Sequence, residues 1–169
     1  MNVDDLLTLF DYDRWANRRL LEAAEQLSPE EFTRGVGGAY GSVRTTLVHI
    51  MEVERGWVAR CDGDMGWPDL NPEDFPSLES VREEWRSVEQ VTRGIMSRLA
   101  EGDLGRVVPY QFEGEEPRTA RVAEVLQHAA NHAAHHRGQV TLMLRMLGHA
   151  PGNLDMLFYY VERFGGPAE

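Results

Sequence analysis

"VDDLLTLFDYDRWANRRLLEAAEQL", residues 3–27, places Leu6, Leu9, Phe10, Trp15, Ala16, Leu20, Ala23, Ala24 and Leu27 at intervals of three and four. Side chains so spaced fall on one stripe of a helix, and the polar residues between them cover the opposite face. A long amphipathic helix over 3–27 needs other helices to bury that stripe, and the same period recurs downstream. Ser42 is positioned to cap a second helix, "VRTTLVHIMEVERGWVARC" (43–61), whose inner face carries Val43, Leu47, Ile50, Val53 or Glu54, and Trp57. Ser77 opens a third over 78–100, with Leu78, Val81, Trp85, Val88, Val91, Ile95 and Leu99 in register. A fourth is expected from a cap at Thr119 to a stop at Gly148, with Pro151 beyond.

The connections are equally legible. "SPEEF" (28–32) reads as a new cap and short turn, "GVGGAYGS" (35–42) as a glycine-rich link, and "DGDMGWPDLNPEDFP" (62–76) as a long loop broken by Gly and Pro. "RVVPYQFEGEEPRTA" (106–120) alternates and turns at Glu113-Gly114, which fits a short two-stranded hairpin weakened by its prolines. "NLDMLFYYVERFG" (153–165) forms a final short helix. The fold class is therefore all-α, a four-helix bundle in one domain spanning 1–169.

Composition narrows the chemistry. All 17 basic residues are Arg, so Schiff-base and Walker A lysines are excluded. The single Cys61 excludes an intrachain disulfide and a Cys-rich zinc site, and it reads as a small buried hydrophobe. A net charge of −11 with no basic tract opposes binding to nucleic acid or an anionic membrane. No apolar run approaches the roughly 18 residues of a membrane span, and the start "MNVDDLLTLF" lacks the basic segment of a signal peptide, so a cytoplasmic location is expected.

Four of the six histidines lie in "HAANHAAHHRGQ", residues 128–139. His132 and His136 are one helical turn apart, about 40° around and about 6 Å along the axis, so both can grip one ion. His128 continues that line one turn earlier, as a pocket residue or as a structural histidine. His135 is swung about 100° from His136. Two ligands do not complete a site, since zinc and similar ions take at least three from the protein. His49, beside the inner stripe of the second helix, is the remaining inward candidate; its alternative is a half-buried imidazole bonded to a carbonyl. There is no His-Glu-x-x-His, no Glu-x-x-His and no Gly-x-Ser-x-Gly. What remains is a mononuclear three-histidine site with open coordination positions. Glu52 or Glu54 could relay protons or orient a ligand, Trp15 and Trp57 read as packing residues that could also wall a pocket, and Arg137 could pair with Asp13 or Asp155.

"FDYDRWANRRLLEAAEQLSPEEF" (10–32), "SVRTTLVHIMEVERGW" (42–57), "HAANHAAHHRGQVTLMLRMLG" (128–148) and "LDMLFYY" (154–160) resemble, in order, the blocks of the DinB family of metalloproteins. The Asn-His-x-x-x-His-Arg-Gly-Gln run is the most specific piece. The resemblance implies an up-down-down-up bundle with a divalent metal on His49, His132 and His136. It also implies, from relatives that are bacillithiol S-transferases and a mycothiol-dependent isomerase, activation of a small thiol toward a small-molecule substrate. Dimers are common in the family, and the helix face of Trp85 or the C-terminal aromatics could supply a homodimer contact. Three imidazoles suit zinc, nickel, iron and copper alike, and a low-molecular-weight thiol is a candidate cofactor. Two functions stay open: a metal-dependent enzyme activating a thiol or water, of transferase or hydrolase type, and a non-catalytic bundle in which the ion is structural or binds a ligand.

Overall fold

The protein, seen in a computed structural model, is described for every residue except Ala39, Pro68, Glu113 and 166–169. Its elements are α1 (Val3–Ala24), α2 (Pro29–Thr33), α3 (Val43–Cys61), α4 (Leu78–Met96), β1 (Val107–Tyr110), β2 (Arg118–Arg121), α5 (Val122–Met146) and α6 (Met156–Phe164). Side-chain caps set four starts where the sequence offers them: Asn2 with Asp5, Ser28 with Glu31, Ser42 with Thr45, and Ser77 with Ser80. Helix α1 ends three residues before the expected Leu27, because the amides of Gln26 and Leu27 bond back to Ala23 and Ala24 in a tightened last turn. Helix α4 likewise stops at Met96, with Arg98 and Leu99 in i→i−3 turns.

The hairpin before α5 is present, with Pro109 opposite Thr119. Gly114 adopts a left-handed φ of 76° in its connection, and the Glu113 half of the expected turn lies outside the described residues. Thr119 therefore sits in a strand and caps nothing. Helix α5 begins after Arg121, whose amide donates to Glu124, and the next two amides, of Val122 and Ala123, donate to the carbonyls of Arg106 and Leu104. Backbone carbonyls from the preceding segment satisfy the helix start, so no Ser or Thr is needed there.

Two apolar clusters show how the helices run. Leu6 and Phe10, early in α1, pack with Val58 and Cys61 at the end of α3, Met96 at the end of α4 and Val122 at the start of α5. Leu20 and Leu21, late in α1, pack with Val43 and Leu47, Val81 and Trp85, and Met143 and Leu144. The order is thus up-down-down-up, and the long loop after α3 lets α3 and α4 run parallel. Trp85 is buried, at 1% exposure, whereas Phe158 and Phe164 at the C-terminus are exposed. Among the described residues no helix is long and apolar enough to cross a membrane.

Between the clusters lies a buried polar layer. Arg137 of α5 pairs with Asp13 of α1 and donates to Asn17 Oδ1 at 2.8 Å, and Asn17 donates to Asp13 at 2.9 Å. Asp13, not Asp155, is the partner of Arg137. Glu54 of α3 is also buried and accepts from Thr92 of α4 at 3.0 Å, while its other oxygen has no hydrogen-bond partner. Burial, reinforced by the nearby Asp13 carboxylate, pushes its pKa up to about 8. An acid with a raised folded pKa holds its proton more tightly when folded. Its stabilising share is intact below about pH 4.5 and is lost as pH rises toward 8. Glu54→Gln, which cannot ionise, is expected to match the parent near about pH 4 and to be more stable by about 1–3 kcal/mol near about pH 9. Thermal melts at the two pH values test this, and a variant less stable than the parent at about pH 9 would mean that the ionised form has a role in the fold.

Candidate metal centre

Three histidines from two helices converge where α3 packs on α5. His132 Nε2 lies 3.2 Å from His49 Nε2 and 3.1 Å from His136 Nε2. One ring nitrogen from each lies within 4.8 Å of the others, and no carboxylate or thiol of the described residues completes the group. Two of the rings share one helix face because they are four residues apart; the third arrives only through the α3–α5 packing. Nitrogens about 2.0–2.1 Å from a tetrahedral ion stand about 3.4 Å apart, so the observed separations fit one small divalent cation after a slight spreading of the rings. They also leave at least one position on such an ion without a protein ligand.

Hydrogen bonds orient part of the set. His136 Nδ1 lies 2.9 Å from Gln139 Oε1, and the Gln139 amide nitrogen lies 3.1 Å from His135 Nε2. With Oε1 accepting, Nδ1 of His136 carries the proton, and its Nε2 lone pair faces the centre. Gln139 went unassigned on the sequence although it sits in the most specific run; its signal is the i,i+3 spacing from His136. Tyr40 was missed too. Its ring stacks on His49 at 3.9 Å between centroids and meets His136 edge-on at 5.3 Å. A lone tyrosine in a glycine-rich link offers no periodic signal that would place it there.

The structure separates the other candidates. Glu52 Oε2 is 3.9 Å from His49 Nδ1, and Glu52 Oε1 accepts from the Leu70 amide at 3.0 Å. Glu54 turns into the polar layer. His128 is exposed, with its ring 5.9 Å from His132 and 5.3 Å from Trp57. His135 is exposed on the flank. Trp15 lies elsewhere: its indole donates to Glu162 at 2.7 Å, and it lines a cleft of about 730 Å³ between α1 and α4 whose lining includes no histidine. Cys61 is buried at the far end of α3, and burial pushes its thiol up to about 11.

Burial is the first cause of lowered imidazole pKa values here. His132 falls to about 3 and His49 to about 4, each further lowered by its histidine neighbours, and His136 is lowered as well against the opposing Gln139 bond. All three rings are neutral at physiological pH, as metal ligation requires. Proton competition therefore begins below the ordinary imidazole range. Half-loss of bound metal is expected below about pH 6, rather than near 6.5. A metal-content titration measures it; half-loss at or above about pH 6.5 would show that the rings protonate as if exposed.

The chain is 24% identical over 161 residues to Protein DinB of Bacillus subtilis (strain 168), covering 92% of this chain and 94% of that one. A crystal structure of a DinB-like protein from Bacillus cereus ATCC 10987 superposes with a TM-score of 0.67 at 18% identity, covering 89% of this chain and 95% of that one. The DinB family profile matches residues 1–163. With the bundle order, the hairpin before α5 and the histidine-bearing helix all inside that match, the chain belongs to the DinB family.

Proposed function

We propose that the protein is a metal-dependent enzyme in which His49, His132 and His136 hold one divalent ion, zinc, nickel or iron, and a small thiol or water is activated beside it toward a small-molecule electrophile. The observation that carries this reading is the convergence of three neutral imidazoles with no fourth protein ligand among the described residues. A structural ion is normally enclosed by four protein ligands, whereas a catalytic one keeps a position open. A divalent cation with only neutral ligands keeps its full charge, which lowers the pKa of a thiol or water next to it.

The chain's own residues prepare that position. Gln139 holds His136 in the ligating tautomer, and the Tyr40 ring, stacked on His49, shields one side of the centre from water. Cys61, buried and protonated, does not compete as a nucleophile. Cobalt-loaded protein is expected to gain a near-ultraviolet sulfur-to-cobalt band when N-acetylcysteine is added. His49→Ala should abolish the band, and Cys61→Ala should leave it. No spectral response to the thiol or to small anions across neutral pH would overturn the open-site reading in favour of a structural ion joining α3 to α5.

A further inference from the structure

We infer that Glu52 is the positioning residue of His49: one carboxylate oxygen accepts a hydrogen bond from Nδ1 of that ring when the ion is bound, and the other holds the loop of residues 62–76. This rests on the proposal of a metal ion on the three histidines, whether or not a position on that ion is open. A neutral imidazole carries one N–H. His49 directs Nε2 at the centre, 3.2 Å from His132 Nε2, so on ligation its proton sits on Nδ1 and needs an acceptor. For His136 that acceptor is Gln139, and Nδ1 of His132 is buried without a hydrogen-bond partner. Nδ1 of His49 faces Glu52 Oε2 at 3.9 Å, one helical turn along α3. Tyr40 stacks on a face of the His49 ring, whereas Nδ1 lies on its edge. The gap that remains to a hydrogen bond is about 1 Å. Bonds that orient reacting groups are often long until the ligand is in place and then tighten, and a small change in the Glu52 torsions, of which the last is soft, closes this one.

The other side of the same carboxylate is already engaged. Glu52 Oε1 accepts from the Leu70 amide at 3.0 Å, and one turn further along α3 the Arg55 guanidinium lies 4.8 Å from the Trp67 ring centroid. His49, Glu52 and Arg55 follow at intervals of three, each the neighbour of the next on the helix surface, and the loop that leaves α3 returns to meet the last two. Glu52 thus stands between a ligand histidine and the loop backbone. Fixing one oxygen limits where the other can lie, so ordering of the loop and ligation of the ion are coupled, and each favours the other. Glu54, two residues on, cannot act in this way, because it faces Thr92 in the buried polar layer.

The test compares the full-length parent with Glu52→Gln, each with and without zinc. Glutamine has the same size, and its oxygen can keep the Leu70 amide, but its NH2 group cannot accept from Nδ1. Zinc is expected to slow hydrogen exchange of the Leu70 amide at least about tenfold in the parent and by less than about threefold in Glu52→Gln. Competition against a chelator should show zinc affinity lowered by about 10–100-fold in Glu52→Gln. Asp69→Asn removes a neighbouring charge from the exposed loop and no bond to His49. Its affinity should stay within about threefold of the parent, which separates a bond to His49 from a mere loss of charge near the ion. Unchanged affinity in Glu52→Gln would reduce Glu52 to a loop anchor and overturn the inference, as would Leu70 exchange that zinc does not slow in the parent. The parent measurement stands even if the variant is unstable. A parent that takes up zinc but shows neither effect removes only the role of Glu52, whereas a parent that takes up no zinc overturns the metal reading and this one with it.

Discussion

His132→Ala is expected to lower metal affinity by about a thousandfold or more, because it removes one of three ligands and the ring that contacts both others. His49→Ala and His136→Ala should lose metal to a similar extent. His135→Ala should change affinity by less than about threefold, since His135 stands outside the converging group and touches it only through Gln139 and an edge-on contact with His136. Gln139→Ala should fall between, at about 10–100-fold, the usual cost of losing a residue that orients a ligand imidazole. Competition titrations against a chelator of known affinity give all five values. Metal loss in His135→Ala as large as in His132→Ala would mean that the ion sits on another face of α5.

Arg137→Met is expected to destabilise the fold by about 3–5 kcal/mol, because it leaves the Asp13 carboxylate buried without its cation. For a chain of this length that corresponds to a fall in Tm of about 6–20 °C. Asp13→Leu combined with Arg137→Met removes both charges, and it should recover much of the loss, since paired burial of charge contributes little beyond what apolar packing provides. The comparison separates the cost of an orphaned charge from the worth of the pair. A double variant no more stable than Arg137→Met alone would show that the ion pair itself, with its bond to Asn17, specifies the packing of α1 on α5.

The four long helices were readable because a stripe of apolar residues at three and four is a property of consecutive residues, and burial then has one outcome. Boundaries were less so. Thr119 has the chemistry of a cap, yet it is held in the hairpin, and the carbonyls of Arg106 and Leu104 do its work at Val122 and Ala123. Glu52 and Glu54 looked equivalent as acids near His49. Two residues on one helix point about 200° apart, and packing sends Glu52 to the side of His49 and Glu54 into the layer with Thr92.

Within one helix the spacing of His132 and His136 already determined that their rings share a face, since helical geometry is local and nothing distant alters it. The lone cysteine and the missing lysine likewise set the chemistry by composition alone. That His49 stands 3.2 Å from His132, that Tyr40 stacks over it, and that Trp57 meets the hairpin aromatics were decided only in three dimensions. The His49–His132 contact joins residues distant in the chain through the docking of α3 on α5. The interdigitation of side chains in a close-packed interior sets that docking, and a one-dimensional pattern carries no record of it.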